Sequence, residues 1–342
     1  MARTKFSLLA SDGGGIRGVI PARALQRLEE RMGRPVCELF DMVAGTSTGG
    51  ILALGLTAPA AGGGPRFSAE DLLGLYVEHG REIFPDSLLL KVRTLAGLAD
   101  PRYDPGPLER LLRERFGETK ISQALTEVVV PTYDLSTPAP FFFKRAYARE
   151  DGNVWDIEMA AAARATSAAP TYFDPARLPS FQDEGEHALV DGGVFANNPS
   201  TAAYADALDL WSENVEIQVV SIGTGLAPQV EGRGAIPVPF ARARGWGLAH
   251  WARPILEVVL DGAAKAVEYQ MVRLCRHGDG SNPRYHRLQS NLPTADHALD
   301  DASEENVQRL LADADTMLTD DAKTFDAICE ALEAVAADRD AA

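Results

Sequence analysis

The stretch Phe40–Gly50, which reads FDMVAGTSTGG, decides the fold. Its first part, FDMVA, is a short apolar run typical of a buried strand, and the small-residue run ILALGLTA that follows Gly50 is typical of a helix. Between them, Gly45–Gly49 matches the G-x-S-x-G pattern of a serine nucleophile elbow, in which a sharp strand-to-helix turn exposes the serine hydroxyl. Glycines such as Gly45 and Gly49 permit this turn. The context predicts Ser47 as a nucleophile, whereas the same letters elsewhere would indicate an ordinary glycine–serine turn.

A second turn, Asp12–Gly18 (DGGGIRG), also lies between a predicted strand and a predicted helix. Consecutive glycines allow several backbone N–H groups to point into one concavity, an arrangement that binds an oxyanion. We therefore predict the N–H groups of Gly13, Gly14 and Gly15 as an oxyanion hole. Arg17 adds a cation that either orients the loop or attracts phosphate.

The same loop satisfies G-x-G-x-x-G, a dinucleotide-binding pattern, through Gly13, Gly15 and Gly18. That pattern requires a second strand that ends in an acidic residue for the ribose. Here the next strand ends in the serine elbow, and Asp41 lies near its start. The sequence therefore favours an oxyanion hole over a nucleotide site.

Asp191 follows the apolar run ALV and precedes Gly192 and Gly193. An acidic residue at a strand end, with no bulky side chain after it, is well placed to face a site. When Asp191 is considered alone, a turn-forming aspartate is the simpler interpretation.

Short apolar runs alternate with amphipathic stretches over the first half of the chain, which indicates α/β layering. Neither a repeat nor a linker divides the sequence, so we expect one α/β domain at residues 1–300, with 301–342 as an acidic helical extension of that domain. The predicted strands are Lys5–Ala10, Phe40–Ala44, Glu127–Tyr133, Ala139–Lys144, Ala188–Val190 and Glu216–Ser221. The predicted helices are Val19–Arg31, Ser68–Phe84, Trp155–Arg164, Ser200–Trp211, Trp251–Leu274 and Ser303–Ala337, besides the one after Gly50.

Composition excludes several classes of protein. The 33 Lys and Arg and 49 Asp and Glu residues give a formal net charge of −16. This charge argues against binding of nucleic-acid polymers and against attachment to anionic lipid by charge alone. Cys37, Cys275 and Cys329 indicate neither a disulfide framework nor a metal site. No apolar run reaches the roughly 20 residues of a membrane span, and the start lacks a secretory signal, so we expect a cytoplasmic protein.

Three motifs resemble those of the patatin-like phospholipases, in the same order: DGGGIRG, GTSTG and DGG. Two further stretches are similar to the family, ATSAAPTYF at Ala165–Phe173 and SIGTG at Ser221–Gly225. The resemblance covers roughly two-thirds of the chain, from Phe6 to Gly225, and the last third carries no recognised signature. It implies a three-layer α/β/α hydrolase fold with a mainly parallel central sheet and a helical C-terminal part.

The resemblance implies a catalytic dyad. Ser47 would attack an ester carbonyl and Asp191 would take its proton, after which water hydrolyses the acyl-enzyme. A free carboxylate has a pKa of about 3.9 and is a weak base at neutral pH, so Asp191 would need a poorly solvated site. Neither a cofactor nor a metal is expected.

A Ser–Asp–His triad is the alternative mechanism, since four histidines follow the serine and the aspartate in an order known from other hydrolases. None of the four lies in a telling local pattern, and the motifs favour the dyad. The four are His250, His277, His286 and His297.

The resemblance further implies phospholipid or lysophospholipid substrates and peripheral contact with the inner face of the membrane. Pro85–Pro105, irregular and studded with leucine, is interpreted either as a lid or membrane-contacting loop or as a core segment. Trp246 and Trp251, near Arg242, Arg244 and Arg253, suggest an interfacial patch. A general carboxylesterase or lipid-storage hydrolase and a non-catalytic scaffold are the alternative functions.

Some bacterial members of the family are antiphage effectors that a cyclic oligonucleotide activates. The resemblance therefore raises this role, although the sequence shows no nucleotide site. Activity that appears only with a cyclic dinucleotide would be expected of such an effector. A homo-oligomer is also left open.

Overall fold

The central sheet of the protein is seen in a computed structural model, which describes residues 3–85, 102–150, 155–180, 185–211, 215–226, 240, 244–247, 251, 254–276 and 284–342. Eight strands of this described part form one sheet. They are β1 (Lys5–Ser11), β2 (Met42–Gly45), β3 (Glu127–Asp134), β4 (Ala139–Lys144), β5 (Ala176–Pro179), β6 (Glu186–Asp191), β7 (Glu216–Ile222) and β8 (Tyr285–Leu288).

The strand order is β5–β6–β3–β2–β1–β7–β8, and β4 pairs with β3 beside this path. The run from β3 to β8 is parallel throughout. At one side β4 and β6 are antiparallel to β3, and β5 is antiparallel to β6. The prediction of a mainly parallel sheet is therefore confirmed.

The helices lie on both faces of this sheet. They are α1 (Val19–Met32), α2 (Val36–Leu39), α3 (Thr48–Thr57), α4 (Ala69–Ile83), α5 (Gly106–Phe116), α6 (Arg145–Glu150), α7 (Met159–Thr166), α8 (Gly193–Ala196), α9 (Ser200–Trp211), α10 (Pro254–Leu274), α11 (Glu304–Asp320) and α12 (Ala322–Ala341). Among the described residues, none of these helices combines the length and apolarity needed to cross a membrane.

Alternation of side chains along β1 builds the two cores. Leu9 packs with residues of α1, α3 and α11 on one face, whereas Leu8 and Ala10 pack with Ala203 of α9 and Met271 of α10 on the other. Successive strand residues point to opposite faces of a sheet, so a continuous apolar run such as that in β1 requires cover on both sides. The expected three-layer α/β/α architecture is confirmed.

Several elements differ from expectation. Helix α5 was not predicted, although Leu108, Leu111, Leu112 and Phe116 are buried at helical spacing. The predicted C-terminal helix is two helices separated at Asp321, whose backbone has left the helical region at φ −109° and ψ 33°. Strand β8 was missed because the sequence YHRL has no apolar alternation.

Two further predictions concern the start of the helix expected at Trp155 and the leucine-rich segment Pro85–Pro105. The helix expected from Trp155 begins only at Met159, since the Ile157 carbonyl accepts a hydrogen bond from Ile121 instead of serving a helix. The lid interpretation of Pro85–Pro105 falls mainly on residues 86–101, which lie outside the described residues.

The C-terminal helices share the core of the sheet. Leu310 of α11 and Leu332 of α12 belong to the same buried cluster as Leu9 of β1 and Leu25 of α1. This shared core supports treating 301–342 as an extension of the main domain, and the boundary at residue 300 stays a prediction.

Leu310→Ala should lower the free energy of unfolding by about 2–5 kcal/mol, because a fully buried leucine leaves a cavity between α11 and the core. Urea unfolding followed by far-ultraviolet circular dichroism and by tryptophan fluorescence measures this loss. The exposed Gln308→Ala on the same helix is the control and should change stability by less than about 0.5 kcal/mol. Loss of α11 structure alone, with the remaining transition unchanged, would contradict a shared core.

Candidate active site

The two glycine-rich loops leave the sheet at the same level. In the register of the parallel strands, Ser11 at the end of β1 pairs with Gly45 at the end of β2. Asp191 ends β6, which runs antiparallel to β3 and pairs through Thr132. Strand β6 therefore approaches the serine elbow from the opposite direction, and the three motifs of the sequence meet at one edge of the sheet.

Ser47 occupies a strained turn between β2 and α3. Its φ of 56° and ψ of −122° lie outside the regions that residues with a Cβ ordinarily adopt. The turn is held because the Ser47 N–H donates to Thr166 Oγ1 at 3.0 Å and this hydroxyl donates to the Pro131 carbonyl at 2.6 Å. The Ser47 side chain makes no capping bond to α3, so its hydroxyl is left at the positive end of the helix dipole.

Close backbone contacts explain two glycines of the elbow. A Cβ on Gly45 would lie 1.9 Å from the Gly49 carbonyl oxygen, and one on Gly49 would lie 2.3 Å from the Ser11 carbonyl oxygen. Gly192 is similarly confined, since a Cβ there would lie 2.3 Å from the Pro131 carbonyl oxygen. The chain can pass these points only without a side chain.

Asp191 lies beside Ser47 in the same pocket and is 4% exposed. Burial raises the pKa of its carboxyl group to about 7, although the neighbouring Ser47 hydroxyl and a Gly193 N–H lower it in part. The Gly193 N–H donates to Asp191 Oδ1 at 2.7 Å. The carboxylate is thus the poorly solvated group that a base at neutral pH requires.

The oxyanion loop differs in one respect from expectation. The Gly13 N–H donates to the Asn197 carbonyl at 3.0 Å and is therefore already used within the protein. The N–H groups of Gly14 and Gly15 donate to no residue that the structure describes, and both glycines line the pocket with Ser47. The candidate donors are thereby reduced from three to Gly14 and Gly15.

Arg17 lies beneath this loop rather than in the pocket. Its side chain is buried, with Nη1 donating to the Gly225 carbonyl at 3.3 Å and Nε at 3.5 Å from the Gly14 carbonyl. Of the two roles expected for Arg17, these contacts support orientation of the loop.

The pocket above Ser47 is lined almost entirely by apolar side chains. Two of them, Leu256 and Leu260, come from α10, for which the sequence offered no functional motif. Tyr76 of α4 also lines the pocket, and its hydroxyl lies 2.6 Å from Thr48 Oγ1, directly after the serine. The other apolar lining residues include Ile16, Ile51, Ile83, Phe84, Leu108, Ala169, Pro170, Tyr172, Phe173, Val194 and Leu299.

No described histidine lines this pocket. His286 lies on β8, and burial lowers its pKa. The Nδ1 atom of His187 lies 2.7 Å from Oδ2 of Asp134, with which it forms a hydrogen bond. His250 and His277 lie outside the described residues. The described part of the chain therefore offers Ser47 a carboxylate partner and no imidazole.

The dinucleotide interpretation of the glycine loop finds no support in its surroundings. Asp41 lies directly before β2, at the opposite end of that strand from Ser47, and its carboxylate accepts hydrogen bonds from Arg3 and Arg339. Within the described ranges, no group of three or more His, Cys, Asp or Glu residues is arranged to hold a metal ion.

Replacement of Asp191 should change the dependence of stability on pH. The pKa of about 7 in the folded protein lies above the usual value of about 3.9, so between these values the folded state binds more protons than the unfolded state, and stability falls as pH rises. The difference in free energy of unfolding between Asp191→Asn and wild type should therefore shift in favour of the variant by about 3 kcal/mol from pH 5 to pH 8.

Urea unfolding at the two pH values measures this shift. The exposed Asp320→Asn serves as control and should differ from wild type by less than about 0.5 kcal/mol at both. An Asp191→Asn difference that does not depend on pH would contradict the raised pKa.

Comparison with known proteins identifies the family. A family model described as patatin-like phospholipase matches residues 9–204. Patatin-like protein 2 of Arabidopsis thaliana is 33% identical over 91% of this chain and 82% of its own length. Probable inactive patatin-3-Kuras 1 of Solanum tuberosum is 30% identical over 91% of this chain and 86% of its own length. The solved structure of VipD from Legionella pneumophila gives a TM-score of 0.35 at 13% identity, over 92% of this chain and 67% of that one. The family model and the plant relatives show that the chain belongs to the patatin-like phospholipases, a family of lipid acyl hydrolases.

Proposed function

We propose that this protein is a phospholipase of the A type, which cleaves fatty-acyl esters of membrane phospholipids with Ser47 as nucleophile and Asp191 as base. The observation that carries the proposal is a buried carboxyl group with a pKa of about 7 next to a serine in a strained turn. Both lie in a pocket with apolar walls, which suits an acyl chain.

In the acylation step, Ser47 Oγ attacks the ester carbonyl carbon while its proton passes to the Asp191 carboxylate. Negative charge develops on the carbonyl oxygen, where the Gly14 and Gly15 N–H groups and the N-terminus of α3 stabilise it. The carbon–oxygen bond to the glycerol part then breaks, and the leaving alkoxide takes the proton from Asp191. The product of this step is an acyl-enzyme on Ser47 and a free alcohol.

Deacylation repeats these transfers with water. The Asp191 carboxylate removes a proton from water as its oxygen attacks the acyl carbonyl, and the collapsing intermediate releases the fatty acid and returns the proton to Ser47. A base with a pKa near neutral pH is suited to both directions of transfer, since it accepts and returns the proton without a large penalty.

Membrane contact is part of the proposal, and α10 supports it. The helix contributes Leu256 and Leu260 to the pocket, while Ile255 is 46% and Val258 54% exposed on its outer side. Trp246 and Trp251 precede this helix in the chain, and their rings pack edge to face with the ring centroids 5.2 Å apart. Arg242 and Arg253 of the expected patch lie outside the described residues. Activation by a cyclic oligonucleotide, an antiphage role and homo-oligomerisation stay predictions.

Ser47→Ala and Asp191→Asn should each reduce fatty-acid release from mixed phospholipid vesicles by at least about 1000-fold, because each removes one member of a concerted pair. The assay is run with and without cyclic dinucleotides, so that any activator dependence of the wild type is seen. Ser167→Ala is the matched control. Ser167 lines the same pocket, but its hydroxyl donates to the Ala163 carbonyl at 2.6 Å, so we expect turnover within about 3-fold of wild type.

His286→Gln tests the triad alternative and should retain activity. Loss of activity in a histidine variant together with a fully active Asp191→Asn would overturn the dyad. A wild type without activity on any ester, with or without a cyclic dinucleotide, would support the non-catalytic scaffold; one relative is itself named as probably inactive.

Ala169→Trp should discriminate long acyl chains from short ones. Ala169 lines the pocket, and an indole there would occupy the space proposed for the acyl chain. We expect kcat/KM on long-chain phospholipid to fall by at least about 10-fold while that on a soluble butyrate ester changes little, because a single methylene group in an apolar pocket already changes kcat/KM by about 10–200-fold. Equal losses on both substrates would contradict an acyl-chain pocket; the control is the exposed Ala312→Trp on α11.

A further inference from the structure

Arg287 is a buried arginine in β8, a strand that lies outside the residues 9–204 matched by the family model. Its guanidinium forms two parallel bonds to Asp12, from Nη1 to Oδ1 at 2.8 Å and from Nη2 to Oδ2 at 2.6 Å. The two side chains are 8% and 3% exposed. A bidentate pair of this kind fixes both the distance and the angle between its partners.

Asp12 is the residue directly before the glycines of the oxyanion loop. Its backbone is fixed as well, because the Asp12 N–H donates to the Ile222 carbonyl at 3.0 Å. The Arg287 pair therefore restrains the side chain of the residue from which Gly13, Gly14 and Gly15 continue. A shift of Asp12 would move the Gly14 and Gly15 N–H groups relative to Ser47.

Arg287 also reaches the segment that follows Asp191. Its Nη1 donates to Ser221 Oγ at 2.7 Å, and Ser221 Oγ lies within hydrogen-bond distance of Ser200 Oγ, at 3.2 Å. Ser200 in turn donates to Asn198 Oδ1 at 2.5 Å. One guanidinium thus joins the loop after β1, through Ser221, to the connection between α8 and α9.

Asn197, the residue before Asn198, provides a second link between the glycine loop and the connection between α8 and α9. The carbonyl of Asn197 accepts the Gly13 N–H at 3.0 Å, so the two segments are also bonded directly. Thr224, near the end of β7, donates from Oγ1 to the Gly13 carbonyl at 2.8 Å. Both backbone polar groups of Gly13 are therefore engaged, and Gly14 is the first residue of the loop that lines the pocket.

Stability alone is a weak reason for such a pair. Removing two charges from water is costly, and buried ion pairs are often replaced by apolar residues without loss of stability. Arg287 is not among the residues that line the pocket above Ser47, whereas Gly14 and Gly15 are. A buried, bidentate pair placed at the start of the oxyanion loop is better explained by its effect on the geometry of that loop.

We infer that Arg287 is a positioning residue of the active site, which acts through Asp12 and Ser221 to hold the Gly14 and Gly15 N–H groups against the developing oxyanion. This inference rests on the proposed function. It assigns a role in the reaction to the last third of the chain, which carries no motif of its own.

The test compares Arg287→Gln, Asp12→Asn and the double variant on a soluble short-chain ester. Displacement of the donors by a fraction of an ångström weakens the transition state more than the bound substrate, so kcat should fall by about 100-fold while KM changes by less than about 3-fold. The rate of labelling of Ser47 by a fluorophosphonate should fall in parallel, because the phosphoryl oxygen of the probe occupies the same hole. The double variant should be no slower than the slower single variant.

Arg23→Gln is the matched control. Arg23 forms a similar bidentate pair with Asp315, at 2.9 and 3.1 Å, between α1 and α11, away from the pocket. We expect its kcat to stay within about 2-fold of wild type.

Arg287→Lys covers the case in which the glutamine variant does not fold. Lysine keeps the positive charge but cannot form the two parallel hydrogen bonds of the guanidinium to Asp12. This variant should therefore remain folded and show an intermediate loss of kcat with KM unchanged. Full kcat in folded Arg287→Lys or Arg287→Gln would overturn the inference, as would losses that multiply in the double variant. A wild type that hydrolyses no ester and does not react with the probe would instead refute the proposed function.

Discussion

In the central sheet, Ser11 is aligned with Gly45 in β2 and with Ile222 in β7, and every part of the candidate site depends on this register. It brings the glycine loop, the serine elbow and the segment after β7 to one edge at one level. A slip by a single residue would turn every side chain of β1 to the other face. Because Leu8 and Leu9 are both fully buried, on opposite faces, either direction of slip would disturb two cores at once.

The site itself works against the stability of the fold. A carboxyl group with a pKa near 7 and a serine with a positive φ are both unfavourable features, of a kind that proteins retain where chemistry requires them. The surrounding structure over-determines both. The Thr166 hydroxyl accepts a hydrogen bond from the Ser47 N–H and so fixes the elbow. The backbone of Gly192 passes close to the Pro131 carbonyl, which restricts the backbone next to Asp191. The helices on both faces supply the burial that offsets this cost.

Much of this arrangement could be predicted from the sequence, since the three motifs are local and each sits at a strand end. The strand before Ser47, the glycine turn after β1 and the strand that ends in Asp191 are all where the patterns placed them. What failed were features that depend on distant partners. The engagement of the Gly13 N–H is decided by Asn197, and the short strand around Arg287 is decided by the edge of β7; neither leaves a periodic signal. Helix α5 is different, because its apolar residues recur at helical spacing in the sequence itself.

The pair formed by Asp12 and Arg287 spans 275 residues of chain. A contact at such separation closes a long loop, which costs conformational entropy and slows folding. During synthesis the serine, the aspartate and the glycine loop all leave the ribosome before Arg287, by about 5–20 s for the roughly 100 residues that follow Asp191. A nascent chain would then contain Ser47, Asp191 and the glycine loop without the arginine that pairs with Asp12. The bidentate contact at the start of the glycine loop therefore forms only after β8 has been synthesised.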